Sequence, residues 1–92
     1  MTHYVALIHK EADSGYGISF PDVLGITTIA DSLDDALREA STVLAFAFED
    51  WQGDLPIPRT LDELRRDPEF LAWSRDAVVT AVAPAVALAD AA

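Results

Sequence analysis

The chain has 92 residues, 51% of them hydrophobic, and carries 16 Asp and Glu against 6 Lys and Arg, a formal net charge of −10. This length predicts one domain with a small core, in which subunit association would hide leftover apolar area. The acidic balance argues against direct nucleic-acid binding, because phosphates are bound by Lys and Arg, and it favours a basic partner. With no cysteine, no signal peptide and no apolar run near the ~20 residues that span a bilayer, we expect a cytoplasmic protein without membrane association.

The first third of the chain predicts three short antiparallel strands joined by tight loops. Residues 3–9 are rich in β-forming side chains, and residues 16–20 alternate apolar with small or polar side chains. Pro21 and Gly25 punctuate the chain before a third short run at residues 26–30.

A well-marked helix follows these strands. Ser32 can cap its free amides, and Asp34 and Asp35 lie in the first turn, where the helix dipole favours negative charge. Gly53 is a plausible terminator. One face of this helix carries the apolar stripe expected of a helix packed on a sheet: Leu33, Ala36, Leu37, Ala40, Leu44, Ala47, Phe48 and Trp51.

The second half predicts less regular structure. Thr60 and Glu63 have the spacing of a capping box for a short second helix, which Pro68 restarts or kinks. Residues 77–83 are ambiguous, because alanines tolerate a helix while valines and threonine favour a strand, and we interpret them as a strand.

The predicted fold is therefore α+β with the order βββαβ. We expect an antiparallel three-stranded sheet, a fourth strand that pairs parallel to the first after a right-handed crossover, and the main helix packed on one face. The domain is expected to cover residues 1–84, with a disordered tail over residues 85–92 and no C-terminal DNA-binding domain.

No arrangement of residues predicts catalysis. His3 and His9 lie ~20 Å apart along a strand, too far to share an ion. The acidic residues that open the helix are explained by capping and by the dipole. We therefore expect a protein that is not an enzyme and that uses no metal or cofactor.

Two surfaces stand out. The first strand is apolar on both faces, so it is either a central strand shielded by neighbouring side chains or it meets another subunit in a homo-oligomer, a dimer or a tetramer. The side chains predicted for self-association are Tyr4, Ala6 and Ile8.

Phe46 is the second oddity, because helix geometry places it about 140° from the centre of the apolar stripe, among carboxylates. Either a later apolar residue (Leu61, Leu64, Phe70 or Trp73) covers it, or it anchors a basic protein partner. The predicted contact residues lie on the outer helix face and in one loop: Asp35, Glu39, Phe46, Glu49 and Asp22.

The ordered set of residues 16–25, Thr28, residues 31–36, Gly53 and Ile57-Pro58 resembles the HicB-like antitoxins of bacterial type II toxin-antitoxin systems. The resemblance covers roughly residues 3–83. It implies a partial ribonuclease H-like fold without nuclease residues, and a partner that is a small basic HicA-like mRNA-cleaving toxin. Relatives usually continue into a DNA-binding domain that represses the operon, but neither such motif is present here.

Two other hypotheses stay open at the level of sequence. The chain could be a free-standing oligomeric or small-ligand-binding module of the same fold without a toxin partner. Less favoured is a metal-dependent nuclease, because the first strand offers no carboxylate for the paired ions that this chemistry needs.

Overall fold

The computed structural model describes residues 2–10 and 15–85, so residues 86–92 of the predicted tail lie outside the described residues. The elements follow in chain order: β1 (Tyr4–Lys10), β2 (Tyr16–Ser19), β3 (Thr27–Ala30), α1 (Leu33–Glu49), α2 (Leu61–Leu64), α3 (Pro68–Trp73) and β4 (Val78–Val82). The described residues include no helix long and apolar enough to cross a membrane.

The four strands form one sheet in the order β3-β2-β1-β4. All three neighbouring pairs are antiparallel, with Ile8 opposite Ile18 across β1 and β2 and Ile18 opposite Thr28 across β2 and β3. The predicted α+β class, the three antiparallel N-terminal strands and the helix packed on the sheet are confirmed.

The predicted direction of the fourth strand is wrong, because β4 runs antiparallel to β1, with Val82 opposite Tyr4. The reason lies in the chain between α1 and β4. After α1 the chain lies near the start of β1, where the Tyr4 hydroxyl donates to the Pro56 carbonyl at 2.6 Å. The short helices then carry it to the other end of β1, where His9 Nε2 donates to the Trp73 carbonyl at 2.8 Å. β4 therefore enters beside the end of β1 and runs back.

Helix α1 packs on the sheet through small side chains. Ala36, Ala40 and Leu44 are fully buried, and the alanines let the helix backbone approach the strands closely. Leu33 and Leu37, on one flank of the same stripe, stay 41% and 42% exposed. The predicted stripe is thus confirmed at its centre, while this flank faces solvent.

The predicted helix starts are confirmed by their caps. Ser32 Oγ accepts from the backbone N–H of Asp35 at 3.1 Å. Thr60 and Glu63 form the reciprocal capping box, with bonds of 3.1 and 2.9 Å, and these bonds lower the pKa of the Glu63 carboxyl. Pro68 starts the separate helix α3 at its first turn, where its missing N–H costs nothing.

The second face of β1 is not bare. Leu64 of α2 and Phe70 of α3 are buried and pack against Leu7, whose side chain points away from α1. Alternation then directs the neighbouring side chains of β1 toward α1. The three residues predicted for self-association are 3%, 0% and 1% exposed in the core under α1 and cannot meet a second chain: Tyr4, Ala6 and Ile8.

Candidate partner-binding surface

Four of the five predicted contact residues share the outer face of α1. They follow one another at intervals of four, seven and three residues, which places them on one side of a helix. This acidic face extends about 21 Å along the helix axis. Its members are all on the side away from the sheet: Asp35, Glu39, Phe46 and Glu49.

Phe46 is 68% exposed, so the interpretation in which a later apolar residue covers it is wrong. The candidates Leu64 and Phe70 pack on the opposite face of the sheet, against Leu7. A phenyl ring that the rest of the described chain leaves in solvent, between carboxylates, is available to a partner.

An open groove of about 990 Å³ lies beside Phe46. Phe48 and Glu49 line it from the helix, and Leu55 and Ile57 line it from the segment that follows. Leu55 is 48% exposed and Ile57 87% exposed. The groove therefore joins the aromatic ring to an apolar strip on a neighbouring segment.

The segment of residues 55–58 keeps an extended shape because each of its two prolines fixes its own φ and restricts the residue before it. The bond from the Tyr4 hydroxyl to Pro56 ties the segment to the first strand. Trp51 Nε1 donates to the Asp54 carbonyl at 3.0 Å and orders the turn before it. Burial, and to a smaller degree the charge of Asp22, raises the pKa of the Tyr4 hydroxyl, which stays protonated and can donate.

Asp22, the fifth predicted contact residue, does not belong to this surface. Its side chain is 8% exposed, and its two oxygens accept from the Arg59 backbone N–H at 2.7 Å and from Arg59 Nε at 2.6 Å. Arg59 Nη1 also donates to Asp67 at 3.0 Å. These bonds raise the pKa of Arg59 and lower that of Asp67. Asp22 thus joins the loop after β2 to the chain before α2.

Basic side chains neutralise the carboxylates of the acidic face only weakly. Asp35 pairs with Arg38 one turn along, but the two side chains are 47% and 72% exposed, and such surface pairs contribute little. In a chain of net charge −10, this face presents a negative field around an apolar centre. A basic partner with an apolar patch complements both properties.

Sequence reasoning missed Leu55 and Ile57 as parts of the site. Leu55 and Ile57 each precede a proline, and a stretch with two prolines can form neither a helix nor a central strand. Periodicity therefore predicts no core position for either side chain. Apolar residues in such a stretch were the available signal.

The side chains that could bind a metal ion are not grouped together in the described residues. In residues 2–10 and 15–85 no group of three His, Cys, Asp or Glu side chains could hold a metal ion. His9 makes the bond to Trp73 that fastens the end of α3 to the sheet. The exposed ring of Phe46 and the groove beside it remain the candidate for a binding surface.

Comparison with known proteins identifies the class. The family model described as a HicB_like antitoxin of bacterial toxin-antitoxin system matches residues 4–89. Members of this class are non-enzymatic proteins whose partner is a toxin. The chain belongs to the HicB-like antitoxin family, as the sequence resemblance predicts.

Solved structures agree on the fold. The N-terminal domain of the Burkholderia pseudomallei antitoxin HicB is 21% identical, with a TM-score of 0.66 over 92% of this chain and 100% of that domain. The B. pseudomallei antitoxin HicB is 25% identical, with a TM-score of 0.64 over 97% of this chain. The present chain covers 66% of that antitoxin's length. No curated protein sequence matches.

Proposed function

We propose that this protein neutralises a small basic HicA-like mRNA-cleaving toxin by covering the toxin's active surface with the acidic face of α1 and the adjoining groove. The observation that carries the proposal is Phe46, 68% exposed between carboxylates at the edge of an apolar groove. The partner acts on mRNA, so we place the pair in the bacterial cytoplasm. The protein itself binds no nucleic acid in this proposal.

The two components of the surface have different tasks. Carboxylates attract a nuclease whose own surface attracts phosphates, which speeds association and selects a basic partner. The ring of Phe46, with Leu55 and Ile57, supplies apolar area that is desolvated at the centre of the contact. Affinity should therefore have a component that salt weakens and a component that it does not.

Charge reversal tests the electrostatic component. The protein is titrated by calorimetry with a catalytically inactive form of the basic protein encoded by the neighbouring gene. Asp35→Lys with Glu39→Lys should weaken binding by about tenfold or more at low salt, and the deficit should shrink as salt rises. The charge-matched control, Asp62→Lys with Glu69→Lys, changes first-turn acids on the opposite side of the sheet and should bind like the wild type.

Truncation tests the apolar component. Phe46→Ala should weaken binding by about tenfold at every salt concentration, because loss of buried apolar area is not screened. Leu71→Ala, at a side chain 51% exposed on α3, is the control and should leave affinity unchanged. If wild-type affinity persisted in both the charge-reversed and the Phe46 variants, this face would not be the toxin site.

A further inference from the structure

Among the described residues, strand β4 forms an uncovered edge of the sheet. In the part of the chain that the structure describes, β4 pairs only with β1, so alternate N–H and C=O groups along its outer side point away from the sheet. Sheet edges in proteins are usually blocked by charges, prolines or bulges. Residues 77–85 carry no charge, in a chain that is 24% charged, and the strand itself contains neither proline nor glycine.

The opposite edge differs. Strand β3 has four residues and is followed at once by Asp31 and then by the acidic first turn of α1. A second chain of the same charge would meet repulsion there. β4 is longer, is separated from its nearest preceding charge, Asp76, by Ala77, and is followed by Pro84.

Apolar side chains flank the β4 edge on both faces of the sheet. Val78 is 47% exposed on the face toward α1, and Val79 is 42% exposed on the face toward α2 and α3. The exposed flank of α1 lies on the same side, because Leu37 is one turn before Ser41, whose hydroxyl donates to the Ala83 carbonyl at 2.6 Å.

We propose that β4 pairs antiparallel with β4 of a second copy of this chain, centred on Thr80, and so extends the sheet through a two-fold dimer. This register sets Val78 opposite Val82 of the second copy and leaves Asp76 and Arg75 outside the paired strands. The occupant is a second copy because the edge lacks the carboxylates that would attract a basic toxin. It is also a stretch where two acidic chains approach with little local repulsion.

Exposed apolar side chains beside the strands can enlarge the contact. Specific dimers bury roughly 1,200–2,000 Å² in total, more than main-chain pairing of two short strands provides. A two-fold axis perpendicular to the sheet keeps both α1 helices on one face. The exposed leucines of the two α1 flanks, Leu33 and Leu37, then add to the apolar area around the paired valines.

Salt separates this dimer from the toxin complex. Sedimentation velocity of the protein alone should show a monomer–dimer equilibrium that shifts toward dimer as salt rises, because screening weakens repulsion between two chains of net charge −10. Toxin binding should weaken over the same range. A protein that stays monomeric at all salt and protein concentrations tested would overturn the proposal.

A lysine on the edge tests the location. Val79→Lys should raise the dimer dissociation constant by about tenfold or more, since a charge on an edge strand blocks pairing. Ile29→Lys, at a side chain 62% exposed on β3, is the matched control and should dimerise like the wild type. A dimer that survives Val79→Lys, or that Ile29→Lys abolishes instead, would contradict the assignment.

Cross-linking tests the register without adding a charge. The chain has no cysteine, so Thr80→Cys introduces one thiol, and mild oxidation should convert most of it to covalent dimer. Thr27→Cys, on β3, should remain largely monomeric under the same conditions. Equal cross-linking of the two variants would reject the β4 pair. Loss of toxin binding with the dimer intact would instead reject the proposed function alone.

Discussion

Arg59 connects three parts of the chain through its backbone and its guanidinium group. Its N–H and Nε bind Asp22 in the loop after β2, and its Nη1 binds Asp67 at the start of α3. The Asp22 side chain is 8% exposed and that of Arg59 is 37% exposed, so removing Asp22 takes charge-assisted hydrogen bonds from an arginine that water can only partly solvate instead. This junction fixes the end of the segment that forms one wall of the groove.

We expect Asp22→Ala to lower the free energy of unfolding by about 1–3 kcal/mol, because the variant loses hydrogen bonds to a charged group. Urea unfolding followed by tryptophan fluorescence measures it. Asp62→Ala, at an exposed carboxylate of α2, is the control and should change stability by less than about 0.5 kcal/mol. Equal stabilities for the two variants would show that the Asp22–Arg59 contact contributes nothing.

The partner of Asp22 could not be predicted from the sequence. A carboxylate in a loop predicts an exposed contact, and nothing local reveals a partner 37 positions away. Phe46 is the opposite case, because helix periodicity alone places its ring outside the apolar stripe. What the sequence left open was whether another segment would cover that ring, since that depends on the path of α2 and α3.

At the scale of elements, local signals identify most of the fold. Ser32, the Thr60–Glu63 capping box and Pro68 each mark a helix start that the structure confirms. The direction of β4 could not be read in this way. It depends on which end of β1 the chain reaches after residues 50–77, and two short helices return it to the end that a single helical crossover would not reach.

The first turn of α1 includes Asp35 of the acidic face and is held by the Ser32 cap. Ser32→Ala should lower the free energy of unfolding by about 1 kcal/mol, because the Asp35 N–H loses its cap. Ser32→Asp supplies an equivalent cap and should keep wild-type stability. Thermal unfolding of the three proteins measures the difference. An alanine variant as stable as the aspartate variant would show that the cap does not hold this turn.

The whole molecule combines a strongly negative charge with two surfaces of different character. Composition predicts the charge and the need to hide leftover apolar area. Composition does not show which strand is left uncovered. The burial of β1 on both faces depends on how α2 and α3 fold against the sheet. The structure buries the β1 side chains that were expected to self-associate, and the proposed dimer uses the edge strand β4 instead.

The acidic face of α1 and the β4 edge differ in charge, so they suit different partners. The acidic face of α1 with its groove is suited to a basic toxin, and the uncharged β4 edge is suited to a second copy. They respond to salt in opposite directions, because one contact joins unlike charges and the other joins like charges. A dimer formed through β4 would leave both acidic faces available, so one assembly could occupy two toxin molecules.

Inhibition of the toxin tests the central claim most directly. RNA cleavage by the active basic protein of the neighbouring gene is measured while this protein is added in steps. We predict that cleavage stops near one antitoxin chain per toxin, and that the Asp35→Lys, Glu39→Lys and Phe46→Ala triple variant must be added in large excess for the same effect. If RNA cleavage continued at the rate of the toxin alone when this protein is present in saturating amounts, the proposed function would be contradicted.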